Sequence, residues 1–444
     1  MKRITKIKMF ILKQIVDIKT YVIRELFRKF YLLIKVLTKI PIDIIAIVPC
    51  VIIRLISPWI IIRIARVSAT NYGRLARDPA LYYCKKKLKI DLPTKKHIDL
   101  LYIHYKDKIY NKQLAKMWKR KLTFLSGYLL DPISRINKLI PGWKIHTIEV
   151  FSDENLSCDT DNLIEKYLPL EFTEEEKIYG KKMLNEFGLK DDDKFVCFAI
   201  RDDAYQLRKV SSRFKNWSYH DYRHFDLDNF VLAAEELTKI GYYVFRMGVV
   251  ANKSFNSNNS KIIDYANSNL RNDFMDVYIG ANCSFCLSTG TGFDDVPYIF
   301  RRPIALLEVP FGILRTWGQK ILHLTKHHVL KKEKRRLSLS EIFSHGVAYA
   351  WDTEVFRQKG IELVDNTPEE IRDLVMEMAE NLEFKTKLNH EDEELQKTFK
   401  SLFTSNIKRI NSHKESKDII YKLHSQIRCR FSTKFLRENK NWLR

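Results

Sequence analysis

Three stretches of this chain place charged, hydroxyl and glycine residues directly behind apolar runs that should form buried strands. The first is Ser288-Thr289-Gly290-Thr291-Gly292, between the apolar run Cys283 to Leu287 and a helix start at Asp294-Asp295, with another apolar run at Pro303 to Leu307. In an open α/β sheet, ligands bind at the carboxyl ends of strands. A helix opening behind such a loop offers N–H groups and a positive dipole end to an anion. Gly290 and Gly292 permit close backbone approach, Ser288, Thr289 and Thr291 bring hydroxyl donors, and Asp294 and Asp295 can cap the helix or hold sugar hydroxyls. The stretch reads either as a cradle for a phosphate or nucleotide sugar, or as an ordinary strand-to-helix turn. It is not a P-loop, because it lacks the lysine. The second stretch, Arg201-Asp202-Asp203-Ala204-Tyr205, follows Lys194 to Ile200. Arg201 can fork onto a phosphate, and Asp202 can bind a sugar hydroxyl or orient the arginine; a plain Arg–Asp pair is the alternative. The third is Arg246-Met247-Gly248, closing the run Tyr242 to Met247, with Asp264-Tyr265 behind the short run Lys261 to Ile263.

Short apolar runs alternating with helical patterns position these residues, which predicts parallel sheets. An N-terminal unit opens with a strand over Trp59 to Val67, a loop Ser68 to Arg74 containing Gly73 and Arg74, and a helix over Asp78 to Lys87. GxGxxG is absent, so a dinucleotide site is not expected there, though the loop can face a substrate. His97 to His104 and Lys144 to Val150 read as further strands, and Asn111 to Leu122 as a helix. Thr173 with Glu176 and Ser338 with Glu341 are capping-box spacings, and Thr367-Pro368 starts a last long helix. Leu314 to Leu324 and Leu330 to Leu337 show no regular period.

The chain has 444 residues, too many for one ordinary core, and a net charge of +23. That charge suits nucleic acid, an anionic membrane or anionic substrates, and its position discriminates among them. Residues 4 to 40 carry apolar side chains three and four apart, with lysines and arginines elsewhere, as in a helix lying in a membrane interface. Ile44 to Ile64 contains Pro49, Pro58, Arg54 and Arg63, which favours a shallow membrane-dipping helix to about Ser57 followed by a strand. A transmembrane span and a helix packed on its own protein are the alternatives. No nucleic-acid motif, paired-carboxylate metal motif or cofactor motif stands out. Seven unpatterned cysteines suggest reduced thiols. The expected segments are membrane-associated helices over 1–58, a Rossmann-like acceptor domain over 59–170, a Rossmann-like donor domain over 171–400 and a basic helical tail over 401–444.

Taken together, Arg201-Asp202, Tyr222-Arg223, Gly241 to Gly248, Asp264-Tyr265, Arg271 to Val277 and Ser288 to Gly292 resemble a bacterial family of glycosyltransferases from surface polysaccharide gene clusters. Trp59 to Leu75 resembles its N-terminal block, and the resemblance covers most of residues 58 to 380. It implies a GT-B fold: two Rossmann-like α/β domains facing a cleft, with a nucleotide-sugar donor held by the C-terminal one. It further implies a surface-glycan or lipid-linked acceptor at the cytoplasmic face of the inner membrane, with the protein peripheral or monotopic. Gly73 and Arg74 fall on the acceptor side, where the family pattern has histidine in place of Arg74; the catalytic base therefore stays unassigned. Transfer without a metal, a cofactor or a nucleic-acid partner is the expectation. Arginines, hydroxyls and a helix N-terminus can stabilise the leaving diphosphate instead.

Overall fold

The computed structural model describes residues 26–27, 29–31, 40–151, 158–201, 218–248, 253–307, 309, 311, 318–384, 388–406 and 427–444. Most of the expected N-terminal amphipathic helix lies outside these residues, as do Asp202, Tyr205 and the basic residues Lys408, Arg409 and Lys422 of the tail. The chain opens with α1 (Ile40–Ile56), β1 (Ile61–Arg66), α2 (Tyr72–Leu88), β2 (His97–Tyr102), α3 (Lys112–Lys121) and α4 (Gly127–Asn137). It divides into two compact units: residues 1–66, 93–105 and 124–148, and residues 67–92, 106–123 and 149–444.

The first unit pairs β1 and β2 in parallel, from Ile61 opposite His97 to Arg66 opposite Tyr102. Arg63 and Asp99 face each other across the strands and are both buried, joined by two hydrogen bonds of 2.6 and 2.8 Å. Two donors meeting two acceptors satisfies the planar fork, which is what makes a buried ion pair tolerable. The inner sides of α1 and α4 close over the strands through Ala46, Cys50, Ile53, Ile64, Tyr102, Leu130 and Ile133. The strand expected over Lys144 to Val150 does not form. Residues Trp143–His146 make a 3₁₀ turn, and a single bridge joins Thr147 to Ile64. The Ile62 carbonyl, which a new strand would need, is taken by His146 Nδ1 at 2.8 Å. Among the described residues, no helix is long and apolar enough to cross a membrane.

The second unit contains α2 and α3 and continues with α5 (Glu174–Glu186), β3 (Phe195–Ala199), α6 (Val231–Lys239), β4 (Tyr243–Arg246), β5 (Ile262–Ile263), α7 (Asp273–Asn282), β6 (Cys286–Ser288) and α8 (Asp295–Ile299). After these come β7 (Ile304–Leu307), β8 (Ile321–Leu324), β9 (His327–Leu330), β10 (Arg335–Arg336), β11 (Ile361–Val364), α9 (Pro368–Phe384), α10 (His390–Asn406) and β12 (Arg430–Phe431). Seven strands form one parallel sheet in the order β12-β8-β7-β6-β3-β4-β5. β3, β6 and β7 are buried along their whole length, as their unbroken apolar sequences require in a sheet covered on both faces. From β3 the chain builds outward through β4 and β5, then returns to β3's other side with β6. The strand order therefore reverses between β3 and β6.

The stretches without a regular period contain β8, the last residue of β9, and β10; β9 and β10 form an antiparallel sheet with β11. Runs of two to four residues are too short to show a period. The C-terminal residues, expected as a basic helical tail, include a strand as well as a helix. β12 adds to the sheet beside β8, and Phe431 and Leu436 are fully buried. Both capping boxes form, at Thr173 with Glu176 and at Ser338 with Glu341.

Candidate active site at the switch point of the parallel sheet

Ser288 is the last residue of β6 and stands opposite Ala199, the last residue of β3. The chains leaving these two strands are stitched together. The Thr289 N–H donates to the Ala199 carbonyl at 3.2 Å, and the Arg201 N–H donates to Thr289 Oγ1 at 2.7 Å. Gly290 has φ of 74°, a left-handed turn that favours glycine, and its carbonyl accepts from the Arg223 guanidinium. Arg201 and Arg223, both half-buried, are thus brought to one loop at the strand-order reversal. This is where open parallel sheets bind ligands, because adjacent loops diverge there and leave a crevice.

The hydroxyls of the loop are committed to its own shape. Ser288 Oγ donates to Asp294 Oδ1 and receives the Gly290 N–H at 3.2 Å, while Thr291 Oγ1 donates to Asp294 Oδ1 at 2.7 Å. Asp294 is fully buried, so it anchors the loop from below. The helix behind the loop differs from expectation. It is a 3₁₀ turn, Gly292–Asp294, followed by the five residues of α8, and the Phe293 N–H is already capped by Thr291 Oγ1 at 3.2 Å. Charge for an anion at this edge has to come from side chains.

Gly292 serves a different close approach from the one its spacing suggests. A methyl group there would stand 3.1 Å from the Gly73 nitrogen, and a methyl on Gly73 would collide with Asp295 Oδ2. The two glycines let the start of α2 lie against the loop. Gly73 and Arg74 sit in the first turn of α2, not in a loop before it, because Asn71 caps the helix by accepting the Arg74 N–H at 3.1 Å. Arg74 Nε donates to Asp78 at 2.9 Å, and Arg77 pairs with Asp295 at 3.2 Å.

Arg246 stands one strand over, opposite Phe198 of β3. It is the last residue of β4, and its side chain lies against the body of the protein, leaving the residue 3 % exposed. Its guanidinium reaches Asp264 at 3.3 Å and the Lys253 carbonyl. Gly248, two residues on, is partly exposed. Tyr265 is fully buried; its hydroxyl donates to Asp276 at 2.9 Å and accepts the Asn272 N–H at 3.3 Å. Burial pushes the Asp276 carboxyl up to about 6, against the opposing pull of Arg271 at 2.8 Å and Tyr265. These residues brace β4, β5 and α7.

One cation at the edge escaped the sequence reading. Lys326 follows β8, its side chain 4 % exposed and paired with Asp365 at 2.7 Å. It also donates to the His224 carbonyl and lies 4.1 Å from the Phe225 ring centroid. The Phe225 N–H in turn donates to the Arg201 carbonyl at 3.3 Å, so Lys326 is linked to the β3 end through residues 224 and 225. Burial draws the Lys326 ammonium pKa down, and Asp365 opposes that. Lys326 sits in Leu324-Thr325-Lys326-His327-His328, where a lysine between apolar strand fragments was the available signal. Among the described residues, no three histidine, cysteine, aspartate or glutamate side chains stand together as a metal site.

No protein-family model and no curated protein matches the chain. Solved structures similar to it are glycosyltransferases. The glycosyl transferase family 9 structure from Veillonella parvula DSM 2008 is 13 % identical with a TM-score of 0.41, over 74 % of this chain and 98 % of that one. The ADP-heptose LPS heptosyltransferase II of E. coli is 12 % identical with a TM-score of 0.40, over 71 % of this chain and 98 % of that one. A dodecameric iron-containing heptosyltransferase, solved in complex with ADP-D-beta-D-heptose, is 11 % identical with a TM-score of 0.34, over 72 % of this chain and 77 % of that one. At these scores nothing about the chemistry of this chain follows from the likeness.

Proposed function

We propose that this protein is a glycosyltransferase of the GT-B type that takes a sugar from a nucleotide-sugar donor and passes it to a surface-glycan or lipid-linked acceptor at a membrane. The supporting observation is the meeting of Arg201, Arg223 and the Thr289-Gly290 turn where the parallel sheet reverses its strand order. Breaking the bond between a sugar and a nucleoside diphosphate leaves growing negative charge on the diphosphate. Two guanidinium groups at a sheet edge suit that charge, because their planar forks match phosphate oxygens and need little reorganisation. Lys326, paired with Asp365, holds residues 224 and 225 behind them. The diphosphate departs with the bonding electron pair, and a base takes the proton of the acceptor hydroxyl. No residue is assigned as that base.

The test is turnover. The full chain is incubated with a panel of nucleotide sugars and an extract of bacterial membrane lipid and glycan, and nucleoside diphosphate release is followed. Acceptor-dependent release from one donor, lost in Arg201→Ala, is the expected outcome. No release from any donor beyond the rate without protein would count against the reading.

A further inference from the structure

We propose that the outer face of α1, together with the turn after α4, docks on an anionic phospholipid bilayer without crossing it. This deepens the reading of a membrane acceptor, yet it is tested without donor or acceptor, so either can fail alone. Ala46, Cys50 and Ile53 of α1 face the core of their unit. On the other side Ile44, Ile45, Val48, Val51, Ile52 and Leu55 are exposed, Ile45 by 70 % and Leu55 by 66 %. At 100° per residue these six positions span an arc of about 120°. The charged residues of the helix, Asp43 and Arg54, contact the Arg135 and Asn137 side chains, so they are held to the unit. A helix apolar on both sides belongs in a core or a membrane, and here one of those sides is open.

The turn after α4 extends this surface. Asn137 and His146 bracket it: Asn137 accepts from Arg54 in the last turn of α1 at 2.6 Å, and His146 bonds the Ile62 carbonyl of the strand that follows α1. Within it Leu139 and Ile145 are exposed, by 79 % and 52 %, each next to an exposed lysine, Lys138 and Lys144. Apolar tips beside lysines match the boundary between lipid headgroups and acyl chains.

Charge selects the occupant. The described acidic residues of this unit are Asp43, Asp99 and Asp131, and each is paired with an arginine. Its exposed charge is therefore positive. A second copy of the chain would bring lysine against lysine. Residues 1–39 are themselves basic in sequence, so laying them over this face would also set like charges together. Anionic headgroups complement it. The 17 residues of α1 extend about 25 Å, and Asp43 near one end and Arg54 near the other tie the helix to its unit, so the helix lies in the plane of the bilayer.

The experiment uses the full chain with Cys158→Ser and Val48→Cys, labelled at position 48 with an environment-sensitive NBD fluorophore. Vesicles are phosphatidylcholine with or without phosphatidylglycerol. The expected result is a blue shift with anionic vesicles, quenched by brominated acyl chains. In Ile45→Glu/Ile52→Glu the vesicle affinity of the chain should fall at least about tenfold. A label that stays in water while the chain floats with vesicles would overturn the proposal. So would equal binding to neutral vesicles. A blue shift without vesicles that grows with protein concentration would assign the face to a second copy, and one independent of concentration to the chain's own residues; both contradict the proposal.

Discussion

At the carboxyl end of β4 an arginine is sealed into the protein; at the end of the adjacent β3 an arginine stands half-buried beside a glycine turn. Arg246 belongs to the strand itself, so its side chain is directed to a face of the sheet, where Asp264 and the Lys253 carbonyl receive it. Arg201 comes two residues after the strand, where the backbone has left the sheet and its N–H is held by Thr289 Oγ1. A shift of two residues separates a bracing ion pair from a half-buried arginine where β3 and β6 part. Position at a strand end is therefore a weak guide to function, whereas burial and the partner's charge are strong ones.

Substitutions can break this contrast. Arg246→Ala leaves Asp264 without its partner and should cost about 3 kcal/mol of stability, read as a lower denaturation midpoint. Arg201→Ala and Arg223→Ala should leave that midpoint nearly unchanged and weaken nucleoside diphosphate binding about tenfold to a hundredfold each, measured by titration calorimetry. If both arginine positions behaved alike, in stability or in binding, the contrast would be lost.

The bracing region also has a pH signature. Asp276, raised from 3.8 to about 6 by burial, keeps its proton in the folded chain where the unfolded chain has lost it. The contribution of Asp276 to stability should therefore fall by about 2 kcal/mol as pH rises from about 4 to about 6, read as the difference between the wild-type profile and that of Asp276→Asn. A difference between the two profiles that stays flat or grows in favour of the wild type across this window would sink the assignment. The smallest effect belongs to the loop. Gly290→Ala forces a methyl into a left-handed turn and should cost about 1 kcal/mol while shifting the Arg223 contact. A variant as stable as the wild type would mean that the turn relaxes easily.

Much of the sheet was legible in the sequence, because buried parallel strands read as unbroken apolar runs and capping boxes mark helix starts. β3, β4 and β7 fall within the expected runs, and β6 overlaps its run at Cys286 and Leu287 and ends one residue later at Ser288. β8, β9 and β10 were not legible, being too short for a period, and Lys326 went with them. The STGTG loop was legible as a strand-end turn, but the use of its parts was not. That Gly292 serves packing against Gly73 depends on residues more than two hundred positions apart, and the hydroxyls' commitment to Asp294 depends on burial. Arg201 and Arg246 looked equivalent for the same reason: partners such as Asp264 and Lys253 are fixed by the fold and not by local pattern.

The central claim is that a donor diphosphate binds where β3 and β6 diverge. Calorimetric titration of ADP, GDP, UDP and CDP into the full chain, with Arg201→Ala and Arg246→Lys in parallel, tests it most directly. The account predicts that at least one of these binds the wild-type protein, weakens at least about tenfold in Arg201→Ala and keeps most of its affinity in Arg246→Lys. Binding by none of the four, or affinity unchanged in Arg201→Ala, would contradict it.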